Sequence, residues 1–275
     1  YETWYITRLP TRSQPARDDR RCRPVPGEPR MTPLLRLGFR PFFLGAGMFA
    51  ALTMLTWTGI WFGAWSPTAV PVIAWHAHEM IYGYALAVVA GFLLTAARNW
   101  TGRTTASGPA LAALVGAWAL ARLLLLAGPD ALAAAAALDC AFNLALLVAV
   151  ARPIVAVRQW RQLGVLAKLL LLGLGNAAFY LNALGIAHVD PRLPLHGGIF
   201  LLVALILTIA GRVLPGFIER GVRVSVRISD PVWAQRATFG LFLLFFIAEL
   251  FVGEAQLVAL CAAALAAVTA CRLYA

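Results

Sequence analysis

Apolar runs long enough to cross a bilayer alternate along this chain with loops, and the arginines fall on every second loop. A hydrocarbon core of ~30 Å takes roughly 20 apolar residues per helix. Eight such runs can be drawn: Phe42–Phe62, His78–Ala97, Pro109–Ala127, Ala131–Val150, Leu163–Ala187, Leu195–Leu214, Ala237–Val252 and Ala255–Cys271. Only Gly128-Pro129-Asp130 separates the third from the fourth, and only Gly253-Glu254 the seventh from the eighth. Both read as helical hairpins. Nine Arg precede the first run, the loop after it has none, and the alternation continues to the last residues. On this count 21 basic residues lie on one side and Arg192 alone on the other, with Arg122 inside the third run. The positive-inside rule then places both chain ends in the cytoplasm. A miscount of one span would scramble the pattern, so the expected fold is an all-α polytopic transmembrane helix bundle of about eight spans.

Composition agrees and removes other classes. The chain is 61% hydrophobic and 13% charged, which makes the lipid bilayer its main partner. A formal charge of +11 would suit nucleic acid, but 22 of the 23 basic residues are Arg that fall almost entirely between apolar runs. That is the distribution of membrane orientation, with no zinc-finger, helix-turn-helix or RNA-binding pattern beside it. Cys22, Cys140, Cys261 and Cys271 form no CxxC pair and no metal-ligand spacing. Residues 1–37 read as a disordered or non-native basic segment: they are rich in Arg and Pro, lack the apolar stretch of a signal peptide, and contain Met31 as a plausible start. Residues 38–275 form the transmembrane domain, expected to be incomplete at its C-terminus because the chain stops just after Cys271-Arg272.

Chemistry concentrates in Trp75-His76-Ala77-His78-Glu79-Met80, at the mouth of the second run. An apolar span needs none of these polar groups, and each is costly in lipid without a partner. The topology puts all four histidines on the outer side: His76 and His78 opening the second run, His188 ending the fifth, His196 opening the sixth. Imidazole ligates haem iron and copper, and the Met80 thioether suits Cu(I). Positions two apart on a helix are ~200° apart, so His76 and His78 either serve different centres or His76 sits in the turn before the helix. His196 is the natural partner from a second helix, and Gly197-Gly198 beside it would let a flat group approach the backbone. Glu79 is a possible proton relay, or simply an acid favoured in a first helical turn. Arg122 has three readings: it meets haem propionates, pairs with Asp139, or snorkels outward. Asn143 and Asn176, each four residues from a polar neighbour, read as interhelical hydrogen bonds rather than as a substrate path.

Three strings carry a family resemblance: Gly38-Phe-Arg-Pro-Phe-Phe43, the Trp75–Met80 cluster, and Gly91-Phe-Leu-Leu-Thr-Ala-Ala-Arg-Asn-Trp-Thr-Gly102. In this order and spacing the chain resembles the NnrS family of bacterial inner-membrane proteins, and Gly211-Arg-Val-Leu-Pro215 is similar to a further family motif. The resemblance implies a haem- and copper-containing protein of the nitric oxide response, often found alongside denitrification. It also implies more spans than are drawn here, with a later His-containing motif absent from this chain. Family pattern does not divide the histidines between the metals. His76, His78, His196 and Arg122 are therefore the candidate haem-binding residues, and His76, His78, His196 and Met80 the candidate metal ligands. No quinone, flavin or cytochrome c motif identifies an electron donor, which leaves turnover unassigned. Two other readings stand beside this one: a transporter with Asp139, Asn143 and Asn176 along its path, and a metal-dependent sensor or assembly factor. The absence of an internal repeat speaks against the transporter.

Overall fold

The computed structural model describes residues 32–63, 70–221 and 232–274. Of the segment read from the sequence as disordered or non-native, residues 1–37, residues 1–31 lie outside them. After a short 3-10 turn at Pro33–Arg36, all the described elements are helical. They are α1 (Phe39–Trp61), α2 (Val72–Thr101), α3 (Pro109–Leu126), α4 (Leu132–Ala156), α5 (Leu163–Ala183), α6 (Arg192–Gly221), α7 (Val232–Ile247, continued by a π turn at Ala248–Val252) and α8 (Ala255–Tyr274). Among the described residues, seven helices are long and apolar enough to cross a membrane, and Ala255–Cys271 forms a shorter apolar helix. The chain is thus an all-α, multi-pass membrane protein.

Helix limits depart from the hydropathy limits in an instructive way. α2 begins at Val72, well before His78, and α4 runs on past Arg152 and Pro153 to Ala156. α6 extends beyond its apolar part at both ends. Hydropathy marks the stretch that sits in hydrocarbon, whereas the backbone ladder continues until a turn residue or loop ends it. Both short turns are as expected, with a 3-10 turn at Pro129–Ala131 joining α3 to α4 and Gly253 in a left-handed conformation closing α7.

α2 is the central post. Buried positions make up 61% of an 18-residue apolar stretch of α2, against 11% of the corresponding stretch of α1, and α2 packs against α1, α3, α4 and α6. One apolar cluster, including Phe42, Tyr82, Leu93, Leu111, Phe142 and Leu172, fills the middle of the bundle and the end where α1 begins. A second, with Val70, Trp75, Leu125, Leu132, Phe179 and Tyr180, joins the start of α2, the α3–α4 hairpin and the end of α5. Those four helix ends meet at one end only if successive helices run antiparallel. The outward faces carry Leu52, Leu55, Leu123 and Leu144 exposed, as lipid-facing surfaces do.

α1 and α2 cross closely because their glycines permit it. A Cβ on Gly38 would lie 2.6 Å from Leu94 Cβ, and one on Gly91 would lie 2.9 Å from Phe43 Cδ1. The Phe39 N–H adds a hydrogen bond of 3.2 Å to Thr95 Oγ1. Two of the three strings that stood out in the sequence therefore pack against each other, and their fixed crossing positions the third.

Candidate functional site

α2 changes register within that third string. Val72–His78 is α-helical, Glu79–Ala85 is a π turn, and α geometry resumes at Leu86, whose N–H donates to Ile81 O five residues back. Such wide turns recur at functional sites and alter which face a side chain meets. Trp118 on α3 donates from Nε1 to Gly83 O at 2.9 Å within the turn.

The π turn begins beside two fully enclosed side chains, His78 and Glu79, 0% and 2% exposed. Arg122 from α3 bridges two carboxylates: Nη1 donates to Glu79 Oε1 at 2.7 Å and Nη2 pairs with Asp139 Oδ2 of α4. His78 Nδ1 lies 2.9 Å from the same Glu79 oxygen, and Nε2 lies 2.8 Å from Asn176 Oδ1 on α5. Tyr180, a turn beyond Asn176, donates to Asp139 Oδ2 at 3.1 Å. Phe179 stacks on the imidazole with ring centroids 4.2 Å apart, and Tyr82 flanks it at 5.2 Å. His78, Glu79, Asp139 and Asn176 lie six or seven residues from the near ends of their helices, ~10 Å along the axis, and Arg122 and Tyr180 lie four and three residues from theirs.

Lone charges at this depth are expensive, and these are not alone. One guanidinium between two carboxylates leaves a single negative charge, which a doubly protonated His78 would cancel. The acceptors facing both ring nitrogens suit that form, and with the Asn176 amide turned a neutral ring with its proton on Nδ1 fits as well. Asp139 Oδ1, Asn143 Oδ1, Asn176 Nδ2 and Arg122 Nε are buried without hydrogen-bond partners among the described residues.

Tyr82 threads a slot between α5 and α6. A Cβ on Gly175 would come within 2.6 Å of its hydroxyl oxygen and one on Gly198 within 2.9 Å. The hydroxyl donates to Pro194 O. The flat group that the Gly197-Gly198 pair was expected to admit is, at Gly198, this ring from the chain itself.

The structure brings His78, Glu79 and Arg122 together and leaves His76, Met80 and His196 outside their ionic cluster. His76 and His78 are both helical and point apart, as their spacing required. The His76 ring lies 4.2 Å from that of Trp57 on α1, and its Nδ1 is buried without a hydrogen bond. Met80 is half-buried; His196, in the first turns of α6, and His188, in the preceding loop, are exposed. Of the three readings for Arg122, pairing with Asp139 is the one seen, with Glu79 added. Asn176 does bond across helices, whereas Asn143 Nδ2 donates to Asp139 O in its own helix. Sequence reasoning missed Phe179 and Trp57 as neighbours of the histidines, and treated Asn176 and Tyr180 apart from the cluster. Their one signal was polar or aromatic character at four-residue spacing inside a span.

Among the described residues no group of three or more His, Cys, Asp or Glu side chains is placed to hold a metal ion. Residues 33–275 match a family model described as NnrS protein. No curated protein and no solved structure matches the chain.

Proposed function

The chain belongs to the NnrS family, and on that premise we propose that it binds haem and copper and acts in the response to nitric oxide. We place it in the bacterial inner membrane with both ends in the cytoplasm, a reading supported by the loop charges. The cofactor reading rests on one observation above the others. His76 is half-buried, yet its Nδ1 is buried with no hydrogen bond to any described group.

A ligand to haem iron or copper needs a lone pair free of internal partners. His76 fits that requirement, and we assign it as the first ligand, with Met80 and the exposed His196 as further donors at the same end of the bundle. His78 fits poorly, since ligation through either nitrogen means giving up Glu79 or Asn176. Arg122 is likewise committed to two carboxylates rather than open to propionates. Iron, when bound, supplies the affinity for nitric oxide. The residues of the ionic cluster do something else: Arg122, itself held by Asp139, fixes Glu79, and Glu79 would hold a proton at His78 Nδ1, two residues from the proposed ligand. That arrangement supports the reading of Glu79 as a proton relay.

The test is optical spectroscopy with metal analysis on the purified protein. A Soret band that shifts on addition of nitric oxide, with copper present, is the expected result. Protein that purifies without haem from haem-replete cells, and takes none up on addition, would overturn the reading.

A further inference from the structure

A large cavity lies away from the histidines, between α3 and α4. It is an open groove of about 920 Å³ lined by Ala113 and Ala117 on α3 and by Ala145 and Ala149 on α4. At its mouth stand Arg103, in the loop before α3, and Arg152, near the end of α4. Both arginine side chains are exposed, and neither guanidinium makes a hydrogen bond or ion pair with a described residue. No His, Cys, Met or Tyr lines the groove, so it offers no axial ligand to a haem and is a different site from that proposed above.

We propose that this groove holds an anionic phospholipid, its phosphate between Arg103 and Arg152 and an acyl chain along the alanines. Three features select this occupant. From Arg152 to Ala141 is 11 residues, ~16 Å of helix, about half the ~30 Å hydrocarbon core and so the depth of one leaflet. Small side chains on both helices leave room for a methylene chain where larger ones would close the cleft. Two unpaired guanidiniums at the mouth match a phosphodiester, which accepts bidentate hydrogen bonds. The loop charges assign this end to the cytoplasmic leaflet, where basic pockets between helices hold anionic headgroups.

Phospholipid retained by the full chain through detergent purification, measured by mass spectrometry, tests the proposal. Protein is first relipidated in vesicles of equal phosphatidylglycerol and phosphatidylcholine. Wild type is expected to retain phosphatidylglycerol selectively. Arg103→Gln and Arg152→Gln should each weaken retention about five-fold, the loss of one basic contact at a membrane surface, and the double variant by more. Ala145→Phe, which fills the groove, should reduce retention of both lipids. The Arg→Gln changes lie on exposed side chains, so the fold should be unaltered, as judged by helicity and elution volume. Equal retention by wild type and the double variant would overturn the proposal. So would lipid-free protein eluting as a dimer that Ala145→Phe dissociates, since a second copy would then fill the groove.

Discussion

Replacing Arg122 by Met keeps most of the side chain's volume and removes the one cation between Glu79 and Asp139. Arg122 is 3% exposed, and its partners are 2% and 0% exposed, so solvent cannot take over the role of the guanidinium. Removing one partner of a buried ion pair costs ~3–5 kcal/mol, because the remaining charge stays buried. Here two carboxylates are left, which puts the expected loss at the upper end of that range. For a chain of this size ~1 kcal/mol moves the midpoint by about 2–4 °C, so unfolding should fall by about 10–20 °C. The assay is thermal unfolding in detergent, followed by the loss of the monodisperse elution peak. A companion variant carries Glu79→Gln, Arg122→Met and Asp139→Asn together. With no charge left in the cluster, it should recover at least half of the loss. An Arg122→Met protein that unfolds within 1–2 °C of wild type, measured to about that precision, would refute the reasoning. A triple variant less stable than the single would refute it equally.

Other outcomes follow from the same geometry. Gly175→Ala should destabilise by ~1–3 kcal/mol through overpacking against the Tyr82 hydroxyl. Adding Tyr82→Phe should relieve part of that, so the double variant will be more stable than the two single losses summed, as read by the same thermal assay. A reporter fused after Asp130 should register as periplasmic and one after Arg161 as cytoplasmic; identical signals from both would break the topology. Asn176→Leu removes the partner of His78 Nε2 and should cost ~1–3 kcal/mol for the unsatisfied ring nitrogen, whereas Asn143→Leu, which loses only a bond within its own helix, should cost less.

Much of the fold is legible in the sequence because hydropathy and loop charge both report position along the membrane normal. Runs of ~20 apolar residues locate the helices, and the Gly128-Pro129-Asp130 and Gly253-Glu254 turns fix which helices are neighbours. Rotation about each helix axis is harder to read. Leu and Ala dominate both the inner and the lipid-facing sides, so little amphipathic contrast says which face turns inward. That is why Asn176 and Tyr180 were not tied to His78, 98 residues away from Asn176 in sequence, although their polarity within a span had marked them. Arg122 and Asp139 were paired correctly as one option, since opposite charges buried in lipid have few other ways to be satisfied. The spacing rule for His76 and His78 was decisive because it depends on helix geometry alone. The π turn at Glu79–Ala85 left no sequence signal that could have foretold it, and it lies where the ionic cluster begins.

The central claim is a division between two histidines: His76 as a ligand with a free nitrogen, and His78 as a member of a closed ionic cluster. Haem content per chain, measured by pyridine haemochrome on His76→Ala and His78→Gln beside wild type, tests it most directly. The account predicts that His76→Ala loses haem while its unfolding temperature stays near that of the haem-free wild type. It predicts that His78→Gln retains haem but unfolds at a lower temperature, since Gln cannot meet Glu79 and Asn176 as the imidazole does. Haem lost from His78→Gln and retained by His76→Ala would contradict it.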